Sequence, residues 1–451
     1  MADNADVIVI GMGPGGEAAA AQLAKAGLSV VGIEKNLVGG ECPYYGCIPT
    51  KMMVRASDAL AEARRVPSLA GTADVTADFG PVAERIRDEA TDNWDDTVAV
   101  ERFEKAGGRF VRGTARITGP GTVSVDGREF EARRAIVVNT GTEPAIPPIP
   151  GLAGTPFWTN RDAVAAKDAP ESLIVLGGGP IGLELAQAFA RFGTHVEVLE
   201  ALDRLLPLEE PEASRLIEEV LASEGIGMRT ATAAESVAHD GTGFTVRTGG
   251  AAPTAERLLV ATGRRSDLAA LGLASIGVDT SRRTVDTDPY LRIAEGVYAI
   301  GDITGHGAFT HMSMYQAGIV ARHILGDRAA RAEYHAVPRV TFTDPEVGSV
   351  GLTEQQAREQ GITISSAVSQ IPHSARGWIH KAGNLGLIKL VADTGRGILV
   401  GATSAGPAGG EVLSMLTLAV HERTPLNRLR EMIYAYPTFH RAVEDALRKL
   451  K

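Results

Sequence analysis

The chain has 451 residues, with 52 glycines, 2 cysteines and a formal net charge of −10 at pH 7. Two cysteines are too few for a secreted scaffold held by disulfides, and the dispersed negative charge disfavours nucleic acid and anionic membranes as partners. The length predicts about two to four domains. Because the acidic start lacks the marks of a signal peptide and long uncharged apolar runs are missing, we expect a cytoplasmic protein without membrane insertion.

The first 35 residues are typical of a nucleotide-binding βαβ unit. A short apolar strand over residues 6–10 precedes a glycine turn, an alanine-rich helix to about Ala26 and a second strand over residues 29–33. The turn contains three glycines at the spacing of a dinucleotide-binding fingerprint: Gly11, Gly13 and Gly16. Such glycines allow the backbone to approach a pyrophosphate at a helix N-terminus. Glu34 ends the second strand, where a carboxylate can accept hydrogen bonds from a ribose.

Both cysteines, Cys42 and Cys47, lie in one short loop with four residues between them. A loop of this size can close as a disulfide, and a helix N-terminus close by would favour a reactive thiolate. The alternative is a pair of inert buried thiols. No Cys or His cluster in the sequence completes a metal site, so we predict no metal.

A second βαβ unit follows near residue 172. A strand over residues 173–176, a helix over 183–192 and a strand over 195–199 surround another glycine turn, formed by Gly177, Gly179 and Gly182. Glu200 follows the last strand, and a carboxylate there suits the 2′-hydroxyl of NADH rather than the 2′-phosphate of NADPH. Arg204 is close enough in sequence to bind such a phosphate. We expect two dinucleotides and favour NADH over NADPH.

The remaining chain changes character twice. Residues 52–110 are expected to be largely helical, with a polar interruption at 68–78, and a proline-rich connection precedes the second βαβ unit. From residue 334 onward, segments alternate as antiparallel strands do, and two helices follow. The expected strands cover 339–342, 386–391 and 397–402, and the expected helices cover 410–422 and 438–450.

Residues 39–51 resemble the active-site motif of the flavoprotein disulfide reductases. These form the pyridine nucleotide–disulfide oxidoreductase family, which includes lipoamide dehydrogenase, glutathione reductase and mercuric reductase. The likeness covers essentially the whole chain, and other family motifs are matched at residues 111–115, 140–141, 261–265 and 296–302. The resemblance implies an α/β fold with two Rossmann-like dinucleotide-binding domains, for FAD and NAD(P), and an α+β C-terminal dimerisation domain.

The domains implied by this resemblance are an FAD-binding domain in two parts (1–150 and 271–333), an NAD(P)-binding domain (151–270) and a dimerisation domain (334–451). A homodimer is therefore expected. The implied FAD-binding residues are Gly11, Gly13, Gly16, Glu34, Lys51, Ala115, Thr140, Gly141, Asp302 and His311. The implied NAD(P)H-binding residues are Gly177, Gly179, Gly182, Glu200 and Gly263.

The resemblance also implies roles for single residues. Cys47 would be the charge-transfer thiol that faces the flavin, and Cys42 would be the interchange thiol. Lys51 would lie near flavin N5, paired with Glu184. His311 falls at a family position beside the flavin, and a purely structural histidine is the alternative.

The C-terminal motif departs from the family pattern. Tyr436 stands where the family has a histidine acid/base, and Arg441 stands where it has the glutamate that orients the histidine. A phenol with a pKa near ~10 is a poor proton shuttle at neutral pH, and loss of a general base typically costs about 10²–10⁴-fold in rate. We count Tyr436 among the catalytic positions. Either His440 and Glu444 replace the dyad, or they are solvated helix contacts.

Tyrosines near these motifs could line a pocket for a flat substrate or pack at an interface: Tyr44, Tyr45, Tyr434 and Tyr436. The leading hypothesis is an FAD-dependent NAD(P)H oxidoreductase. It would pass hydride equivalents through flavin to a Cys42–Cys47 disulfide and on to a disulfide or other small-molecule acceptor. One alternative is direct transfer from flavin to a quinone or similar acceptor. Another is a non-catalytic flavin redox sensor.

Overall fold

The computed structural model describes residues 3–451, which divide into two compact units. The first unit contains the chain up to Pro49 together with residues 84–145 and 264–334. The second contains residues 50–83, 146–263 and 335–451. Each unit is therefore assembled from three separate stretches of chain.

An eight-stranded sheet organises the first unit. Six of its strands follow one another in the order Arg292–Ala294, Val297–Ala299, Arg128–Val138, Asp3–Ile10, Val30–Glu34 and Arg109–Arg112. The last five of these pair in parallel. The antiparallel strands Ala115–Gly119 and Thr122–Val125 complete the sheet.

The apolar run of the first strand is continuous because both faces of this sheet are covered. Val7 and Val9 pack into one hydrophobic core, and Ile8 and Ile10 pack into another. All four side chains are buried. A strand covered on both faces does not alternate apolar and polar residues, which explains the pattern seen in the sequence.

Three sheets belong to the second unit. A parallel sheet has the order Gly227–Arg229, His195–Leu199, Ser172–Leu176 and Arg257–Val260. An antiparallel sheet of three strands contains Ser236–His239, Phe244–Arg247 and Thr254–Ala255. A five-stranded antiparallel sheet near the C-terminus has the order Pro338–Thr341, Glu346–Gly351, Ile398–Gly406, Leu387–Asp393 and Ile364–Gln370. The predicted fold class is confirmed by the parallel strands in both units and by the mixed α+β C-terminal part.

The α-helices are Pro14–Lys25, Glu41–Tyr44, Cys47–Arg65, Gly80–Arg85, Thr97–Lys105, Asn160–Val164, Pro180–Arg191, Pro211–Ser223, Thr310–Ile324, Glu354–Glu359, Ala375–His380, Gly409–His421, Leu426–Glu431 and Arg441–Lys449. Short 3₁₀ turns cover Val66–Ser68, Leu273–Ile276, Gly301–Thr304 and Ile371–His373, and a π-helical turn covers Ile86–Ala90. A small ladder joins Glu143–Pro144 to Arg264–Arg265.

Sequence patterns missed two strands of the C-terminal sheet, Glu346–Gly351 and Ile364–Gln370. The first contains glycine and serine, which have low strand propensity. Its position depends on tertiary packing, because a Cβ at Gly348 would lie 3.2 Å from the Leu413 side chain of the helix above. The Gly409–His421 helix can approach the strand this closely only because residue 348 is a glycine. The same glycine makes the strand hard to recognise in the sequence.

Both nucleotide-type helices begin earlier than predicted, at Pro14 and Pro180. Proline is favoured in the first helical turn because its missing N–H would have no helical partner. The last part of each glycine turn is consequently helical already. The free N–H groups of each helix therefore lie within the turn itself.

Lys389 forms one of two buried charge clusters in the second unit. Its side chain is 4% exposed, and its Nζ lies 2.9–3.0 Å from carboxylate oxygens of Glu210, Glu212 and Glu354. This one cation connects the C-terminal sheet to two other segments of the unit. Loss of it would leave the buried carboxylate of Glu210 and the partly buried carboxylates of Glu212 and Glu354 without this counter-charge.

Arg191 forms the second cluster, at the end of the Pro180–Arg191 helix. Its side chain is 3% exposed and lies 2.6–2.7 Å from carboxylate oxygens of Asp58, Glu224 and Asp344. Burial raises the pKa of Asp58 to about 6, although Arg191 opposes this shift. The nearby carboxylates of Asp344 and Glu346 add to the increase.

We predict that the wild-type protein loses stability relative to an Asp58→Asn variant as the pH rises from about 5 to 7.5. The folded-state pKa of about 6 exceeds the unfolded value of ~3.9. The protonated carboxyl of Asp58 therefore contributes its full stabilisation when the pH is below the unfolded-state pKa. This stabilisation is lost as the pH rises through the folded-state pKa. Calorimetric Tm values across this range measure the effect.

Asp240→Asn provides the control for this pH series. Backbone N–H groups of Thr242 and Gly243 lower the pKa of Asp240 to about 2. Its stabilisation is lost only as the pH falls below the unfolded value, so its Tm difference from wild type should stay nearly constant above about pH 5. A flat difference for Asp58→Asn would contradict the prediction.

Candidate active site

The first glycine turn is shaped by two close backbone contacts. Gly11 has φ +90°, and a Cβ there would lie 2.4 Å from the backbone oxygen of Asn139. A Cβ at Gly16 would lie 2.0 Å from the backbone oxygen of Gly11. At Gly13 a Cβ would have only the Asn139 amide nitrogen within 4 Å, at 3.3 Å. The middle of the turn is therefore accessible to a ligand, as a pyrophosphate requires.

The second glycine turn repeats this arrangement. Gly177 has φ +112°, and a Cβ there would lie 2.4 Å from the backbone oxygen of Ala261. A Cβ at Gly182 would lie 2.1 Å from the backbone oxygen of Gly177, whereas one at Gly179 would meet nothing within 4 Å. Two glycines are needed for protein packing, and the third leaves room for a ligand. Both turns fit a dinucleotide.

Glu34 and Glu200 are held in equivalent ways at the two turns. Glu34 Oε2 accepts the N–H of Met12 at 2.8 Å. Glu200 Oε2 accepts the N–H of Gly178 at 2.6 Å, and its Oε1 accepts the N–H of Leu202 at 2.7 Å. Both carboxylates are buried. Each oxygen can accept a further hydrogen bond, so both carboxylates are oriented in advance for a ribose hydroxyl.

The loop that leads to the cysteines lies against the first glycine turn. The N–H of Gly39 donates to the backbone oxygen of Met12 at 2.7 Å. Gly40 has φ +66°, and a Cβ there would be 3.0 Å from Cα of Gly13. Cys42 follows in the Glu41–Tyr44 helix. Gly39 and Gly40 therefore hold the cysteine loop against the first glycine turn.

Cys47 is exposed, whereas Cys42 is half-buried. Cys47 is the first residue of the long Cys47–Arg65 helix, a position that favours a thiolate. Its Sγ lies 3.5 Å from Oγ1 of Thr310. Sequence reasoning missed Thr310, although it immediately precedes the predicted site residue His311. The His311 ring is stacked with Phe309 at a centroid distance of 5.1 Å.

Tyr44 and Tyr434 are buried, each with 6% exposure. The hydroxyl of Tyr434 donates to the backbone oxygen of Leu429 at 3.0 Å. Burial raises the pKa of Tyr44 and that of Tyr434 to about 12. These two phenols stay protonated at neutral pH. Of the four tyrosines considered above, Tyr45 and Tyr436 retain appreciable exposure.

Asp302 belongs to a hydrogen-bonded chain in the first unit. Its Oδ2 accepts the hydroxyl of Thr142 at 2.6 Å, and that hydroxyl accepts Nε–H of Arg264 at 2.8 Å. Arg264 also lies 3.4 Å from the carboxylate of Glu41, the residue before Cys42. Arg264 therefore connects the cysteine loop to the segment that carries Asp302.

The other predicted cofactor residues occupy strand ends and turns. Ala115 begins the Ala115–Gly119 strand, and Thr140 and Gly141 follow the Arg128–Val138 strand. Gly141 has φ +62° and Gly263 has φ +112°, and a Cβ at either would meet nothing within 4 Å. These positions are left open by the protein's own packing.

Lys51 and Glu184 form an ion pair in the second unit. Lys51 Nζ donates to Glu184 Oε2 at 2.6 Å. The Glu184 side chain is 5% exposed, and that of Lys51 is 34% exposed. Glu184 Oε1 accepts the N–H of Phe342 at 2.8 Å, and Lys51 Nζ lies 4.7 Å from the centroid of the Phe342 ring. Both oxygens of the buried carboxylate are therefore satisfied.

Tyr436 is 71% exposed, and the Arg441 guanidinium lies 5.7 Å from the centroid of its ring. Arg441 also pairs with Glu444 at 2.6 Å, and Arg448 pairs with the other Glu444 oxygen at 2.5 Å. The two Glu444 oxygens thus face arginines. This arrangement argues against His440 and Glu444 as a substitute dyad.

Among residues 3–451, no group of three or more His, Cys, Asp or Glu side chains is arranged to hold a metal ion. Over the same residues, we find no helix whose length and apolar character would let it cross a membrane.

Comparison with known families identifies the class of protein. Residues 5–317 match the model described as pyridine nucleotide-disulphide oxidoreductase, and residues 337–447 match the dimerisation domain of that family. The chain therefore belongs to the pyridine nucleotide-disulphide oxidoreductase family. Members bind FAD and a pyridine nucleotide, so the predicted cofactor classes and the prediction of an oxidoreductase are confirmed. The dimerisation domain supports a homodimer.

Individual relatives are similar over most of their length. The chain is 31% identical to mercuric reductase from Staphylococcus aureus over 440 residues, which covers 96% of this chain and 80% of that protein. It is 32% identical to dihydrolipoyl dehydrogenase 2 from Haloarcula marismortui over 462 residues, covering 98% and 95%. Among solved structures, the Cu(II) complex of the HOCl-induced flavoprotein disulfide reductase RclA from Escherichia coli superposes with a TM-score of 0.86 at 27% identity, covering 100% of each chain.

We predict opposite effects for alanine at two glycines of the second turn. Gly182→Ala should destabilise the fold by about 1–3 kcal/mol, because its methyl would overlap a backbone oxygen. Gly179→Ala should leave stability nearly unchanged and weaken pyridine dinucleotide binding, since its methyl would enter the open space of the turn. Thermal unfolding and dinucleotide titration separate the two. Unchanged dinucleotide affinity in Gly179→Ala would contradict this assignment.

Proposed function

We propose that this protein is an NADH-dependent FAD oxidoreductase that reduces a Cys42–Cys47 disulfide and then a small-molecule acceptor. The observation that carries the proposal is the packing of the cysteine loop on the first glycine turn, in a chain that contains two preorganised dinucleotide turns. Family membership supports the class of reaction.

The first turn is proposed to hold FAD. Gly13 leaves space for the pyrophosphate, and Glu34 is oriented to bind the ribose. The Thr142 hydroxyl fixes Asp302, which we assign to the rest of the cofactor. The other proposed FAD-binding residues are Gly11, Gly16, Lys51, Ala115, Thr140, Gly141 and His311. FAD bound in this way accepts a hydride from reduced nicotinamide and supplies two electrons to a disulfide.

The second turn is proposed to hold NADH through Gly177, Gly179, Gly182, Glu200 and Gly263. The contacts of Arg204 support NADH over NADPH. Its guanidinium donates to the backbone oxygens of Glu209 and Pro207, both at 2.7 Å, and to the hydroxyl of Ser214 at 3.0 Å. An arginine held in this way would have to break these bonds to reach a 2′-phosphate. The oriented carboxylate of Glu200 would repel that phosphate.

The cysteine pair is proposed to carry the electrons. A Cys42–Cys47 disulfide takes up two electrons and two protons when its S–S bond breaks, giving two thiols. The helix N-terminus at Cys47 favours its thiolate, and the Thr310 hydroxyl at 3.5 Å can donate to it. Cys42 is then the thiol that meets the acceptor. When the acceptor takes the two electrons, the disulfide re-forms and the two thiol protons pass to the acceptor or to water.

The acceptor is proposed to be one that needs little help from an acid/base residue. Reduction of a small disulfide releases a thiolate that leaves faster when it is protonated or has a low pKa. Residues 436 and 441 are a tyrosine and an arginine, so they do not supply the histidine–glutamate pair that the resemblance leads us to expect. This absence favours acceptors other than ordinary disulfides.

A second candidate function is therefore electron transfer to a quinone or to a thiol-binding metal ion as substrate. The quinone would take electrons directly from flavin. For a metal ion, the Cys42 and Cys47 thiols would pass two electrons to one Hg(II) ion, or one electron to each of two Cu(II) ions, and release two protons to water as the disulfide re-forms. The metal candidate is favoured by the names of similar proteins, a mercuric reductase and a Cu(II) complex. The sequence contains two cysteines. A metal ion would therefore have to reach Cys42 and Cys47 without binding to another thiol first.

We predict that a Cys42→Ser/Cys47→Ser double variant loses reduction of disulfides and metal ions but keeps its FAD. The reason is that both acceptors need the thiol pair, whereas a quinone can take electrons from flavin. Anaerobic NADH or NADPH titration followed by a panel of disulfides, quinones and Cu(II) or Hg(II) salts measures this. NADH should reduce the enzyme at a lower concentration than NADPH does.

The single variants supply the controls. Wild type should develop the long-wavelength absorbance of a thiolate beside oxidised flavin, and Cys47→Ser should not. Cys42→Ser keeps Cys47 and should show that absorbance without reducing agent. Full activity of the double variant with every acceptor would refute a redox role for the cysteines.

We predict that Tyr436→His raises the rate with small disulfides by at least about 10-fold, because a histidine restores a group that titrates near neutral pH. Tyr436→Phe keeps the ring and serves as the matched control, with disulfide rates close to wild type. Steady-state kinetics across pH measure both. A large loss in Tyr436→Phe would show instead that the phenol itself is the proton donor.

A further inference from the structure

The Pro180–Arg191 helix presents three polar side chains on one face. Glu184, Gln187 and Arg191 are separated by three and four residues, a spacing that places them in one row along a helix. All three are buried, with exposures of 4%, 3% and 3%. Buried polar groups need partners, so this row requires a complementary row opposite it.

The backbone at Phe342 and Asp344 supplies part of that complement. The N–H of Phe342 donates to Glu184 Oε1 at 2.8 Å. Gln187 accepts the N–H of Asp344 at 2.8 Å and donates to its backbone oxygen at 2.9 Å. Arg191 Nη2 lies 2.7 Å from Asp344 Oδ2. Every member of the row therefore holds the same short segment.

The Cys47–Arg65 helix supplies the rest. Three of its side chains are seven residues apart, which is close to two helical turns, and so share one face: Lys51, Asp58 and Arg65. They pair in order with Glu184, Arg191 and Asp344, each at 2.6 Å. Two helices and one segment thus form a continuous polar seam with the Lys51–Glu184 pair at one end.

We propose that Arg191 is a positioning residue that fixes the orientation of the Lys51–Glu184 ion pair. Within the seam, its guanidinium is the cation that bonds both Asp58, on the Cys47–Arg65 helix, and Asp344, in the segment. It also donates two N–H groups to Glu224. The rigid fork of arginine suits such simultaneous contacts.

Loss of this guanidinium would leave the partly buried carboxylates of Asp58, Glu224 and Asp344 close together without their shared counter-charge. The segment would then shift, and the N–H of Phe342, which orients Glu184, would move with it. The inference rests on the proposed function, because it takes the Lys51–Glu184 pair to act in NADH-dependent reduction of the bound FAD. Arg191 itself would touch neither substrate nor cofactor.

Lys389 offers a matched control for the loss of a buried cation. It is also nearly fully buried, also pairs with three carboxylates and lies in the same unit, yet none of its recorded partners contacts Glu184 or Lys51. Lys389→Met should therefore reproduce the destabilisation caused by Arg191→Met without its kinetic effect.

The experiment is stopped-flow reduction of the FAD-loaded enzyme by NADH. Arg191→Met should lower the limiting rate about 10- to 100-fold, the cost expected when a reacting group is displaced by about 1 Å. The apparent NADH dissociation constant should stay within about 2-fold, since binding is not affected by misplacement of the pair. Lys389→Met should lower Tm and keep the limiting rate.

Arg191→Lys retains the charge but not the forked guanidinium, and it should give an intermediate rate. This variant also tests the inference if Arg191→Met does not fold.

Glu184→Gln separates the inference from the proposed function. This variant should lower the limiting rate and alter the flavin absorbance spectrum, and the Arg191 variants should shift that spectrum in the same direction. If Glu184→Gln slows reduction but both Arg191 variants react at the wild-type rate, the inference alone is overturned. If Lys389→Met slows reduction as much as Arg191→Met, the effect is one of general stability and the inference is also overturned. If Glu184→Gln has no effect, the assigned role of the pair fails, and the inference fails with it.

Discussion

Close contact between a helix N-terminus and a strand end, made possible by missing Cβ atoms, is the constraint on which both nucleotide turns depend. At Gly16 and Gly182 a methyl group would overlap a backbone oxygen of the same turn. Because these contacts are backbone to backbone, no side-chain rearrangement can relieve them. The helix begins within the turn as a result, and its unpaired N–H groups become the natural partners of a phosphate. The same constraint therefore sets the packing of the turn and leaves N–H groups free for the phosphate contacts that we propose.

The position of the cysteine loop follows from the first of these turns. Gly40 is within contact distance of Gly13, and Arg264 links Glu41 to the Thr142 hydroxyl that holds Asp302. The redox role proposed for the two cysteines requires that their distance from the cofactor is fixed. Here the fixing elements lie just before the cysteines in the chain. They keep the loop in place without restricting exposure of Cys47.

The second unit is organised by buried charge rather than by apolar packing alone. Arg191 brings together carboxylates from three segments of the chain, and Lys389 brings together carboxylates from two. Such clusters add little net stability compared with apolar residues, but they are unforgiving of misplacement. The role proposed for Arg191 in positioning the Lys51–Glu184 pair depends on this property.

The glycine spacing, the terminal carboxylates and the cysteine pair were readable from the sequence, because each depends on local geometry or on a residue type with special chemistry. Family motifs extended this to the fold class and the cofactor classes, both confirmed. The contacts of Thr310, of Arg264 and of Arg191 were not readable, since the partners lie 122 to 263 positions away and these residue types are common on protein surfaces. Burial decides whether an arginine is a solvated side chain or the centre of a charge cluster. Burial is a property of tertiary structure, which local spacing in the sequence does not encode.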